Sequence, residues 1–335
     1  MNETGTVSRD ITAASRKERF LNFLRIFISL LLLFFIFLKN YNNFSEIYSA
    51  LINISILFII FAILSHLIMI WVESLMWDVL LRALDVRINR GYLSIAMMVA
   101  YFYNSILPSN IGGDFFRIYD LSKNKNAPLS KCASAVFMTR FFGLITITIF
   151  FAATAYSIYA MLKNYVIVIS VFLGIAFILF IMLARPQVFR IDRIFKKFKK
   201  IERFWYKIEN FSNSVASYKN RFSCLAAALG LNIASQLMYT FMFYFISISL
   251  GLNISFLTYA FMVPVIFVLI GIPVSIGGLG VRENTIVFML VNFNISNEKA
   301  VAFSMIVLFI HIFNAVLGGV IYFFRNIFYR SRGFI

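Results

Sequence analysis

Charge is scarce in this sequence. Only 13% of its 335 residues are Asp, Glu, Lys or Arg, while 61% are hydrophobic. Soluble domains are nearer a quarter charged, so a water-soluble globular domain is excluded. Histidine and cysteine are scarcer still, with two of each: His66, His311, Cys132 and Cys224. The histidines are far apart in sequence and no metal-ligand cluster can be assembled, so neither a metal nor any other cofactor is expected. The two thiols lie near helix starts and read as packing residues. Also missing are a Walker loop, a G-x-S-x-G elbow and an H-E-x-x-H pair. No nucleophile–base set stands out, and no catalytic residue is assigned.

Long apolar runs are present instead. Several exceed the ~20 residues needed to cross a bilayer, and they do not alternate in the manner of barrel strands. The fold class they predict is an all-α polytopic membrane protein. Spans are read at 22–38, 47–72, 131–161, 165–184, 222–250 and 299–324. The first follows a basic segment with Arg16, Lys17, Arg19 and Arg25 and precedes no small-residue cleavage site, so it reads as a membrane helix and not a signal peptide.

Two further segments, 93–122 and 256–293, carry the same phrase. Pro108-Ser-Asn-Ile-Gly-Gly-Asp-Phe-Phe-Arg117 and Pro273-Val-Ser-Ile-Gly-Gly-Leu-Gly-Val-Arg282 both place Ile-Gly-Gly at the fourth to sixth positions and Arg at the tenth. Basic residues decide whether these segments cross or turn back. With a basic N-terminus inside, Arg82, Arg87 and Arg90 return inside. Lys123, Lys125 and Lys131 join them only if 93–122 turns back at its break. The stretch 185–221, with eleven Lys/Arg against three acids, is also inside, as are Arg325, Arg330 and Arg332. Segment 256–293 then turns back from the opposite face. The expected architecture is six full spans plus two oppositely directed re-entrant hairpins in an inverted-topology repeat. Its parts are a cytoplasmic tail 1–21, a first repeat 22–161, a second repeat 165–325 and a cytoplasmic tail 326–335. The rival is seven or eight continuous helices.

The net charge of +17 does not call for nucleic acid, because the basic residues cluster between spans where they set topology and meet anionic lipid. Within 187–221, Ile191, Ile194, Phe195, Phe198, Ile201, Trp205 and Ile208 recur at helical spacing among lysines and arginines. This predicts a basic amphipathic helix lying in the cytoplasmic interface, with docking onto its own bundle as the alternative.

The repeated phrase suggests chemistry. Pro108 and Pro273 end a helix and free its carbonyls. The glycines Gly112, Gly113, Gly277, Gly278 and Gly280 allow a tight turn and close approach. A new half-helix then points its amide end at the break, which favours anions. Arg117 and Arg282, one turn further on, could grip phosphate in bidentate fashion. At membrane depth an arginine costs about 2.5–3.5 kcal/mol, so each needs a partner, and Asp114 and Glu283 stand beside them. Asn104 and Asn110 could satisfy freed backbone groups. Arg140 and His311 are intramembrane groups at roughly corresponding places and join the substrate-binding candidates. Glu73 and Asp78 read as interfacial. Gly112-Gly-Asp-Phe-Phe116 resembles the GGDEF signature of nucleotide cyclases, but that motif needs a soluble α/β domain.

The two phrases, Leu107–Arg117 and Ile272–Glu283, resemble the signature segments of the lysylphosphatidylglycerol synthase transmembrane region, the flippase-like integral membrane family. The resemblance covers about residues 20–325. It implies a cell-membrane protein that moves lipid, as the membrane half of the multiple peptide resistance factor does. The aminoacyl-transferase domain is not in this sequence, so the synthase activity is not expected to transfer. The function expected is a lipid translocase for a phosphate-bearing phospholipid, aminoacyl-lipid or polyprenyl-linked lipid. Its expected partners are membrane lipids and a lipid-modifying enzyme. The alternative is a membrane-embedded enzyme or accessory subunit in lipid or glycolipid modification.

Overall fold

A run of 28 residues without glycine or proline, Ile56–Ala83, forms the longest uninterrupted apolar helix near the start of the chain (α3). The computed structural model describes residues 20, 23–36, 38–107, 112–184, 202–272 and 274–331, which are helical and contain no strand. Pro108, Asn110, Pro273, the tail 1–21 apart from residue 20, residues 332–335 and residues 187–201 of the amphipathic segment lie outside the described residues; the rest of the expected tail 326–335 is helical, as the last turns of the final helix. Before α3 come α1 (Phe23–Ile36) and α2 (Phe44–Ile52), which meet at a bend of 57°. After it come α4 (Arg90–Ile106), α5 (Gly112–Asn124), α6 (Leu129–Ala184), α7 (Glu202–Ala216), α8 (Phe222–Ser249), α9 (Phe256–Ile270), α10 (Val281–Asn292) and α11 (Asn297–Ser331). The protein is an all-α polytopic membrane protein. Among the described residues α3, the first arm of α6, α8 and α11 are long and apolar enough to cross a bilayer, and the bent pair containing α1 makes a fifth if taken as one span.

α3 and α8 form the seam of the bundle. Ser55 N–H donates to Ser249 O at one end (3.2 Å). His66 and Tyr239 rings meet midway with centroids 5.7 Å apart. Tyr218 O–H donates to Leu80 O at the other end (3.0 Å). The two helices are therefore antiparallel. Buried Met69, Ile70, Tyr239, Met242 and Ile246 share one apolar core along this seam.

α4 and α5 are the arms of a helical hairpin. Tyr92 O–H donates to Asp120 (2.8 Å) near its base, and Gly113 N–H donates to Asn104 Oδ1 (2.7 Å) near its tip. Arms of 17 and 13 residues span about 25 and 20 Å, short of a ~30 Å hydrocarbon core. The base lies at the end of the bundle where α3 finishes and α6 starts, since Lys131 Nζ donates to Leu84 O (2.8 Å). Lys123, Lys125 and Lys131 therefore share an end with Arg82 and Arg90, as the charge pattern predicts for a segment that turns back. The second pair, α9 and α10, has its base at the opposite end. Phe256 packs on Phe241 with ring centroids 4.9 Å apart, beside the end of α8. The chain leaving α10 reaches Asn297 and Glu298, which bond Asn40 and Asn43. The tips meet inside the bundle. A Cβ on Gly277 would stand 3.1 Å from Asn104 O.

The remaining contacts cross between halves. α4 packs on α11, where a Cβ on Gly318 would lie 2.2 Å from Met98 O. α9 packs on α6, where Phe151 stacks on Phe261 at 5.7 Å. α1 closes the second hairpin, its Ser29 Oγ accepting from Ile276 N–H (3.0 Å).

Three boundaries differ from the sequence-based expectation. The span read at 47–72 is two helices, because Asn53 ends α2 and extended Ser55 starts α3. α3 then continues 11 residues past 72, with Asp78 neutralised in place: it is 2% exposed and paired with Arg82 (2.7 Å) and Arg90 (2.9 Å). The spans read at 131–161 and 165–184 both lie within the helical stretch Leu129–Ala184. Its arms nonetheless fold against each other, with Phe137 and Phe180 centroids 4.9 Å apart, where a straight helix would separate them by about 65 Å. The described part of the amphipathic segment, α7, docks on its own bundle: Phe211 meets Phe137 at 5.2 Å and Ser212 Oγ donates to Ala184 O (3.0 Å).

Candidate functional site

Where the tips meet, a cavity of about 710 Å³ opens, within the usual range for a ligand pocket. Its wall is largely apolar and is interrupted by a few charged or titratable groups from five helices: Glu73 of α3, Asp114 and Arg117 of α5, Arg140 of α6, Arg282 of α10 and His311 of α11.

The first hairpin supplies a carboxylate shared by two arginines. Arg140 Nε donates to Asp114 Oδ2 (2.7 Å) and its Nη2 to Oδ1 (3.0 Å), a bidentate fork. Arg117 Nη2 donates to the same Oδ1, its Nη1 reaches Met97 Sδ (3.6 Å), and its guanidinium lies 5.2 Å from the Trp77 ring centroid. The two arginines are not equivalent. Arg117's side chain is 5% exposed, behind the carboxylate, whereas Arg140's is 49% exposed, at the cavity. Glu73, read from sequence as interfacial, lines the cavity and accepts from Tyr101 O–H (3.2 Å). It is displaced from the expected place because α3 runs on past it.

The second hairpin carries its own pair. Arg282 Nη2 donates to Glu283 Oε1 (2.7 Å), and Glu283 Oε2 accepts Gly280 N–H (2.6 Å), capping α10. Both residues are buried, with Arg282 at the cavity. Formal charges around the cavity balance: Arg117, Arg140 and Arg282 against Glu73, Asp114 and Glu283.

The glycines of the two phrases do different work. Gly112 and Gly113 open α5 with helical geometry, and a Cβ on Gly113 would lie 2.4 Å from Ala100 O, so it permits close packing of the hairpin arms. Gly277, Gly278 and Gly280 take positive φ, and Gly280 (φ +81) also abuts α1, where a Cβ would lie 2.6 Å from Leu32. The half-helix amides expected to hold an anion already have acceptors: Gly113 N–H donates to Asn104, as foreseen for that asparagine, and Gly280 N–H to Glu283.

Of the predicted site residues, Asp114, Arg117, Arg140, Gly277, Arg282 and His311 line the cavity. Gly112, Gly113, Gly278, Gly280 and Glu283 support it from behind. The histidines that sequence separates are brought together, with ring centroids 4.8 Å apart. Tyr239 O–H and His311 Nε2 are 2.9 Å apart, and Asn314 Nδ2 donates to His66 Nδ1 (2.8 Å). No group of three metal-ligating side chains occurs among the described residues. Sequence reasoning missed His66, Glu73, Tyr101 and Tyr239. Their only signal was polarity within otherwise apolar runs.

The family model described as lysylphosphatidylglycerol synthase TM region matches residues 22–319. The chain belongs to that family. Similar proteins include UPF0104 membrane protein MJ1078 of Methanocaldococcus jannaschii, 29% identical over 230 residues that make up 68% of this chain and 96% of that protein. Another is UPF0104 membrane protein PH1989 of Pyrococcus horikoshii, 26% identical over 277 residues, 75% of this chain and 81% of that protein. No solved structure matches. Membership of the lysylphosphatidylglycerol synthase TM region family points to a membrane protein with a lipid-related function.

Proposed function

We propose that the protein is a lipid translocase that moves a phosphate-bearing headgroup through the cavity between its hairpin tips. The observation that carries this reading is the convergence of Asp114, Arg117, Arg140 and Arg282 on one cavity at the meeting point of two hairpins from opposite ends. A polar group crossing a bilayer needs such a site inside an apolar bundle, and membership of this family favours a lipid headgroup as that group. Arg117 Nε, Gln236 Nε2 and His66 Nε2, in residues that line the cavity, are buried and lack hydrogen-bond partners among the described residues, which leaves donors in reserve for an acceptor-rich group.

In this reading Arg140, the more exposed of the pair on Asp114, meets the phosphate. Arg117 keeps Asp114 in place, and Arg282 approaches from the other hairpin. The two halves act as an inverted pair in the cell membrane with both termini cytoplasmic, the orientation that places the basic end of the bundle inside. The acyl tails stay in lipid while the headgroup passes.

Reconstitution into vesicles with fluorescent phosphatidylglycerol tests this. Wild type moves lipid between leaflets, and Arg140→Ala slows movement about 10- to 100-fold, the loss of one charge-assisted contact of about 1.5–3 kcal/mol. Chemical change of the headgroup without movement would overturn the translocase reading in favour of a membrane-embedded enzyme. An unchanged rate in both Arg140→Ala and Arg282→Ala would overturn the site.

A further inference from the structure

The chain has only two histidines, 245 positions apart, and the fold sets their rings side by side in the wall of the cavity, on α3 and α11. Their hydrogen bonds assign them different tasks. Asn314 Nδ2 donates to His66 Nδ1 and to Ile310 O (2.8 Å each), so the His66 Nδ1 lone pair is occupied. The His66 proton is on Nε2, buried and without a partner among the described residues. His66 is thus held neutral. His311 is only partly buried and faces Tyr239 O–H. A hydroxyl can donate or accept, so Tyr239 can serve His311 in either protonation state. The groups around the pair are Glu73 on α3, Tyr101 from α4, Arg140 from α6, Tyr239 from α8, and Arg282 with Glu283 from α10. The charged ones among these, with Arg117 and Asp114, cancel. With these charges in place, a proton on His311 gives the cavity a net charge of one.

We infer that His311 is a proton site linked to the headgroup, so that one proton enters with each phosphodiester and the pair crosses as an electroneutral unit. This rests on the translocase reading. The balance is simple. Hydronium gives its proton to the ring nitrogen lone pair and leaves as water, the imidazolium offsets the single phosphodiester charge, and the proton is returned when the headgroup leaves. Nothing is oxidised or reduced. The neutral His66 ring, 4.8 Å away, leaves room for one added charge and disfavours a second.

Two measurements test this. In phosphatidylglycerol vesicles, an imposed pH gradient should change the rate of lipid movement, up to about tenfold per pH unit for one linked proton, while an imposed membrane potential should not. His311→Gln should be slower and should no longer respond to pH. Wild-type movement that ignores pH, or that follows the membrane potential, would overturn the proton linkage and leave the translocase standing. The second measurement does not depend on transport. With only two histidines, nitrogen-15 histidine labelling gives two resolvable ring systems. Adding phosphatidylglycerol at pH 6.5 should convert the His311 ring to imidazolium and leave His66 neutral. Rings unchanged by lipid would overturn the proposal. Proton uptake without lipid movement would support linked binding while overturning translocation.

Discussion

Asp114 accepts from two arginines at once, which makes it the residue on which the first hairpin's site depends. Removing it would leave Arg117 and Arg140 facing each other with no counter-charge. Breaking a buried pair in this way typically costs about 3–5 kcal/mol, so Asp114→Asn should unfold at markedly lower temperature in detergent. Adding Arg117→Met should recover part of the loss, because it removes the buried charge and restores apolar contact with Met97 and Trp77. If the double variant is less stable than the single one, Asp114 is not acting as a counter-ion. Much at this scale was legible in the sequence. Arg117, Arg282 and their acidic partners announce themselves by standing beside a helix break inside apolar sequence. Glu73 and His66 do not, because their meaning depends on which face of α3 turns inward, and a helix that is apolar nearly all round gives no sign of that. The difference between Arg117 and Arg140 was likewise invisible, since depth behind a carboxylate is a tertiary property.

The hairpins are held by bonds at their bases and tips. Arg325 near the end of α11 donates to Asp120 of α5 and to Tyr92 of α4 (2.6 Å to the tyrosine) and sits 4.7 Å over the Tyr92 ring. It fastens both arms of the first hairpin to the last helix. Arg325→Ala should therefore speed amide hydrogen exchange across Gly112–Asn124 while leaving α8 unchanged; a uniform increase would mean general destabilisation instead. The direction of each hairpin could be read from lysine and arginine placement, because every base must lie at a bundle end and charge marks one end. The limits of α3 could not, since Asn53 and Ser55 look like ordinary polar residues until one ends a helix and the other starts the next. The fold-back within Leu129–Ala184 was anticipated as two spans, and the contact between Phe137 and Phe180 is that of two antiparallel arms.

At the scale of the molecule, opposite insertion of the hairpins has a direct experimental signature. In a cysteine-free background, single cysteines at Lys125 and Asn294 should label from opposite faces of the membrane, with Lys125 on the same face as Arg87. Labelling of both from one face would dismantle the arrangement. The pattern of contacts also bears on how such a protein can come into being. α4 rests on α11, α9 rests on α6, and the last hairpin seals against α1, so neither half fully covers its own helices. The cavity cannot exist until nearly the whole chain has been synthesised, since α11, made last, supplies part of its wall and the hairpin before it closes on α1, the helix made first.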